Sequence, residues 1–196
     1  MVPPRRSIAF CVCALGFVVS PVLAETHTFK IDPARTTVRF EIKHFFGKVI
    51  GQFHDVQGVV EIDVDHPENS SVTARCPSRT VDTDNHTRDS HLRSELFEVE
   101  KFPEVTFRSR KVVRTANDQA DVTGDLTLHG VTRPIVLHVT LLERKKRSDG
   151  KETSRWRATG GNFSRRAFGL MWSRGVEAVS GIGDEIVLRI ECQARE

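Results

Sequence analysis

Histidines are the residues whose placement first invites a chemical reading, and the 196-residue chain has eight. His44 ends the run "TTVRFEIKHF" in the same alternating phase as Val38, Phe40 and Ile42. A polar group there stands at the mouth of whatever those apolar side chains enclose. His129 sits beside Gly130 between two alternating runs and shares the phase of Asp125 and Thr127, so it reads as a turn residue on the solvent side. His86 and His91 are five residues apart, a spacing that does not share one helix face, and no joint metal site is expected from them. The stretch from Asp82 to Arg93 begins like a calcium loop, but Thr87 stands where the sharp turn needs glycine and Arg93 where the bidentate glutamate belongs. There is no HExxH pair and no glycine-flanked serine elbow. Arg165 and Arg166, flanked by Phe163 and Phe168, offer charge to an anion. These residue types provide polar contacts for a ligand but assemble no nucleophile, base and oxyanion donor. No catalytic residue, metal ligand or cofactor is expected.

The elements that position these residues are strands. Val38, Phe40 and Ile42 alternate with Arg39, Glu41 and Lys43; Val60, Ile62 and Val64 alternate with Glu61, Asp63 and Asp65. Val122, Leu126 and Leu128 alternate with Thr123, Asp125 and Thr127, and Ile135, Leu137, Val139 and Leu141 continue past the turn. Ile186, Leu188, Ile190 and Cys192 close the chain in the same way. A period of two with one apolar face marks half-buried antiparallel strands. Shorter runs at 70–76, 104–113 and 153–163 bring the number to about eight, as a sandwich or a closed barrel. Ser148-Asp149-Gly150 marks a hairpin tip between the basic flanks Arg144–Arg147 and Lys151. That hairpin reads as a solvated element, with contact to anionic lipid head groups as the functional alternative. One segment breaks the pattern. Asp84 or Asn85 caps a short helix carrying Leu92 and Leu96 on one face, and Pro103 ends the excursion, which spans roughly 85–97.

The first 24 residues read as a removable leader. Arg5 and Arg6 precede the apolar stretch from Ile8 to Val19, and Val22-Leu23-Ala24 sets cleavage after Ala24. The expected mature unit is a single domain over 25–196, exported to the periplasm, with no transmembrane segment. Removing the leader takes two arginines and no acidic residue from a chain whose net charge is +3, so the mature chain is close to neutral. That excludes the basic excess a nucleic-acid footprint needs. Cys76 and Cys192 remain. Export permits a disulfide between them, and burial as two small apolar residues is equally compatible.

If the strands close around a lumen, the alternation assigns its lining. Phe40, Ile42, Leu126, Leu128 and Leu137 fall along the walls, and Phe53, Leu92, Phe97, Phe107 and Phe168 close the ends. His44 and Arg165 are the polar groups expected at a mouth. Twelve phenylalanines and no tyrosine give aromatic bulk without hydroxyl handles, so an apolar lumen wants an apolar guest.

Five ordered pieces carry a family resemblance: "FKIDPARTTVRFEIKHF"; Gly51, Phe53 and Gly58; "TDNHTRDSHLRSELFEVEKFPEVTF"; "VTGDLTLHGVTRPIVLHV"; and "SRRAFGL". In that order they resemble the YceI-like family of exported polyisoprenoid-binding proteins, from about His27 to Glu191. The late motif departs from the family's common pattern, with Ser164 and Ala167 where a more polar pair is usual, while Arg165, Phe168 and Gly169 match. The resemblance implies an all-β, lipocalin-like antiparallel barrel. It also implies non-enzymatic binding of a long isoprenoid lipid, polyprenyl or quinone-type. Two other readings stay open. One is an accessory or enzyme acting on such a lipid. The other is a filled-core β protein that works through its surface. An exposed edge strand would also permit a homodimer.

Overall fold

The computed structural model describes residues 26–45 and 47–196; the leader expected over 1–24 lies outside them. Ten strands form one antiparallel sheet: β1 (Thr26–Ile31), β2 (Thr37–His44), β3 (Gly47–Phe53), β4 (Gln57–Asp63), β5 (Ser71–Pro77), β6 (Glu104–Ala116), β7 (Gln119–Leu128), β8 (Val131–Lys146), β9 (Glu152–Ser164) and β10 (Ile182–Arg195). Neighbours run β1-β4-β5-β6-β7-β8-β9-β10, and β10 returns to β1 through Lys30 opposite Arg195 and Ile31 opposite Ala194. That closes an eight-stranded barrel. The remaining two strands extend one hairpin of it. β2 pairs with both β10 and β3, so β1–β2 and β3–β4 are two bent staves.

The bend has a local cause. After β1 the chain makes a single 3-10 turn over Pro33–Arg35, where the Asp32 carboxylate accepts the Ala34 N–H at 3.1 Å. Proline at the first position costs no hydrogen bond there. On the facing stave, Asp55 takes a left-handed backbone, φ 57°. Both staves turn at the same level.

The barrel therefore has two unlike ends. At one lie the β2–β3 turn, the β7–β8 turn and two helical segments. Helix α1 (His86–His91) runs on through a π-type turn over Leu92–Leu96. It belongs to the connection between β5 and β6, which touches the outer edge of β3 ahead of the helix through the Gln52–Asp82 bridge. Asn85 caps α1 by accepting the Arg88 N–H at 2.9 Å, and Asp89, which is buried, accepts from both the Thr83 N–H and its hydroxyl. Helix α2 (Arg174–Ser180) sits between β9 and β10 at the same end. At the other end lie the 64–70 loop, the β6–β7 turn, the β8–β9 hairpin and the last residues of β10.

Inward phases agree with the alternation. In β7, Val122, Gly124, Leu126 and Leu128 are buried while their neighbours are half-exposed. In β10, Ile186, Leu188 and Ala194 are buried on the same face. Asp63 reverses its expected solvent position and is 4% exposed. Its carboxylate accepts the His66 N–H at 2.7 Å and the Asn69 side-chain N–H at 3.2 Å, so it ties down the 64–70 loop.

Candidate ligand-binding cavity

A cavity of about 350 Å³ occupies the barrel from its middle to the end bearing the 64–70 loop. Phe107, Leu126, Leu137, Leu188 and Ile190 form its walls, with Val60 from the bent hairpin and Trp156 from β9. That volume falls in the range of small-molecule clefts, about 300–1,000 Å³. Both thiols face it. Cys76 and Cys192 are free, and burial pushes them up to about 12 and about 11 respectively. At neutral pH they are protonated, weakly polar wall residues rather than nucleophiles.

Most of the charge stands toward the open end. Arg114 and Arg144 border the cavity there with Glu61, Asp63 and Asp118, while Arg75 borders it from β5, opposite Thr106 and nearer the closed end. Arg75 pairs with Glu104 at 3.2 Å, and Arg144 with Glu152. Arg114 donates instead to the carbonyls of Ala116 and Asn117, at 3.2 and 3.1 Å, across the β6–β7 turn.

Aromatic and leucine side chains pack the opposite half. Phe53 packs edge-on against Phe97, with centroids 5.6 Å apart, and Phe40 lies 5.7 Å from Phe53. Phe168 packs against Phe163 at 5.2 Å. Leu96, Leu128 and Leu170 complete the plug. The Phe40 ring fits there because residue 51 is glycine; a Cβ at Gly51 would lie 2.2 Å from the ring. His129 pins the plug from outside. Its ring accepts no role in the cavity; it bonds the Glu98 carboxylate through Nε2 at 2.8 Å, meets the Phe168 carbonyl through Nδ1 at 3.3 Å, and packs against Phe102.

The twelve residues expected at the lumen or its mouth thus separate. Phe107, Leu126 and Leu137 line the cavity. Phe53, Phe97, Leu128 and Phe168 are buried in the plug, with Phe40, Ile42 and Leu92 packed on it. His44 lies half-buried at the closed end, edge-on to Phe45 at 5.3 Å. Arg165 is 2% exposed. It donates to the carbonyls of Gly183 and Leu170 at 2.9 and 2.7 Å and to both oxygens of Glu177 at 2.8 and 2.7 Å. A longer contact reaches the Ile182 carbonyl at 3.5 Å. These contacts engage its five N–H donors. Neither His44 nor Arg165 lines the cavity. The sequence reading missed Trp156 and Ala158 as wall residues, although Ser154, Trp156 and Ala158 alternate against Arg155 and Arg157. Only the phase of that run was left unread.

Comparison with known proteins fits this architecture. The model of the YceI-like domain matches residues 29–194. The protein YceI of Salmonella arizonae is 33% identical over 140 residues, covering 70% of this chain and 73% of that one. Among solved structures, the Campylobacter jejuni YceI protein aligns with a TM-score of 0.64 at 30% identity, covering 74% of this chain and 84% of that one. Burkholderia cenocepacia BcnA aligns at 0.72 and 18% identity, covering 83% and 98%. A polyisoprenoid binding domain from Saccharophagus degradans aligns at 0.60 and 16% identity, covering 85% and 97%.

Proposed function

The chain belongs to the YceI-like family, and from that premise we propose that it is a non-enzymatic carrier holding the apolar chain of an isoprenoid lipid, polyprenyl or quinone-type, in the open half of its barrel. The observation that carries this reading is the cavity itself: hydrocarbon walls, protonated thiols, and charge mostly toward the open end. A structural neighbour described as a polyisoprenoid binding domain supports the same ligand class. The leader read over residues 1–24 supports a periplasmic setting, and no helix among the described residues is long and apolar enough to cross a membrane.

Burial of each methylene contributes about 0.8 kcal/mol. Several isoprene units therefore offer a large gross gain, reduced by the cost of ordering a flexible chain. The lining recognises hydrocarbon rather than a particular tail, so chain length is read by the depth of the lumen above the Phe53–Phe97 plug. A lipid held this way dissociates slowly and copurifies.

Trp156 supplies a reporter, because it lines the cavity and only one other tryptophan, Trp172, is present. In Trp172→Phe protein stripped of lipid, titration with an isoprenoid quinone is expected to quench the remaining emission to saturation at one ligand per chain. Emission that stays unchanged, or that falls equally with a quinone lacking the prenyl tail, contradicts the reading.

A further inference from the structure

We propose that His27, Glu152 and Glu196 form a binding site for a zinc-class divalent ion on the inner rim of the barrel. The proposal stands apart from the lipid reading, since none of the three lines the cavity.

The three residues come from β1, the start of β9 and the end just past β10. Each occupies the last inward position of its strand. His27 is two residues before Phe29, which is 0% exposed; Glu152 is two before Ser154, at 1%; and Glu196 is two beyond Ala194, at 0%. Strand periodicity therefore turns all three side chains toward the same space. They are 16%, 21% and 27% exposed in the order His27, Glu152, Glu196, well below freely solvated surface groups.

The backbone fixes their spacing. The Glu196 N–H donates to the Glu152 carbonyl at 3.1 Å, and the Glu152 N–H donates to the Glu196 carboxylate at 2.9 Å. The other oxygen of that carboxylate is 2.9 Å from His27 Nδ1. One donor atom from each residue lies within 4.8 Å of the other two. A tetrahedral zinc ion, about 2.0–2.2 Å from each ligand, sets its donors about 3.4 Å apart. Side-chain rotation alone makes up that difference.

The donor chemistry selects the ion. One imidazole and two carboxylates suit zinc and its divalent neighbours; the absence of thiolate disfavours monovalent copper. The two carboxylates balance the charge of the ion, and His27 binds it as a neutral ligand. Arg144, which bonds Glu152 and also lines the cavity mouth, steadies the second carboxylate from outside. Three protein donors leave a coordination position for water or for a ligand atom.

The test is calorimetric titration of untagged, chelator-stripped protein with Zn²⁺, and in parallel with Co²⁺ read by its visible absorption. One saturable site with a tetrahedral Co²⁺ spectrum is expected. His27→Ala, Glu152→Gln and Glu196→Gln should each weaken it about a hundredfold, with metal-free melting unchanged. Wild-type protein without a saturable site overturns the proposal. So does a site that His27→Ala abolishes while both glutamine variants keep it, because the ion would then be held on His27 by other donors.

Discussion

Arg165 spends its donors inside the protein, on three carbonyls and the Glu177 carboxylate. Removing it takes the bidentate partner from the Glu177 carboxylate, which keeps only Arg166 and the Trp172 N–H, and leaves the carbonyls of Leu170 and Gly183 without its donors, a change that costs about 3 kcal/mol or more. Arg165→Ala is thus expected to shift the urea midpoint strongly while the Zn²⁺ titration is unaffected. The same pair sets a pH dependence. The hydrogen bond from Arg165, with smaller help from the Trp172 N–H and Arg166, lowers the Glu177 carboxyl from 4.5 to about 2. Its folded-state value is depressed, so its stabilising contribution is complete above about pH 5 and is lost as pH falls toward 2. Stability measured across pH 5 to 2 should decline less steeply in Glu177→Gln than in wild type. Cysteine behaviour follows from burial in the same way: Cys76 and Cys192 should react with iodoacetamide far more slowly in the folded protein than in urea. The sequence showed that Arg165 carries charge beside two phenylalanines. It did not show the partner, because Glu177 reaches it only through the fold of the α2 loop.

At the scale of elements, the plug is the part most dependent on long-range contact. The segment just after the π-type turn and the β7–β8 turn meet through Glu98 and His129, both in left-handed backbone conformations, φ 43° and 52°. Gly130, with φ 72°, lets Phe102 pack against that turn. His129→Ala removes a hydrogen bond to a charged group that is half-exposed, a loss of about 1 kcal/mol. Hydrogen exchange should quicken over residues 86–102 and change little in β7 through β10. Alternation made eight of the ten strands legible and assigned most of their faces, since a side-chain period of two holds along any strand, but the short β1 and β3 were not read as strands. It did not tell depth along the barrel axis. Phe40 and Leu126 face inward alike, yet one lies on the plug and the other beside the cavity; on β2 only Val38, one inward position before Phe40, reaches the lining. Asp32-Pro33 marks a turn in the sequence, but nothing in that pair shows that the staves bend there.

For the whole molecule, one half of the barrel is packed for stability and the other is kept open. The filled-core reading describes the first half; the cavity describes the second. Enlarging a small wall residue separates the two roles. Ala158 is buried and lines the cavity. Ala158→Phe is expected to reduce lipid uptake at least about tenfold while changing stability by no more than about 1–3 kcal/mol, the usual range for an overpacked site with room beside it. Equilibrium titration with the isoprenoid quinone and urea unfolding read the two effects independently. The measurement that bears most directly on the central claim is mass spectrometry of an organic extract from protein purified without detergent. A polyprenyl or prenylquinone species at about one per chain, depleted in the Ala158→Phe protein, is the predicted result. An extract free of isoprenoid, still free after the protein has been incubated with polyprenyl and prenylquinone lipids and repurified, would contradict it.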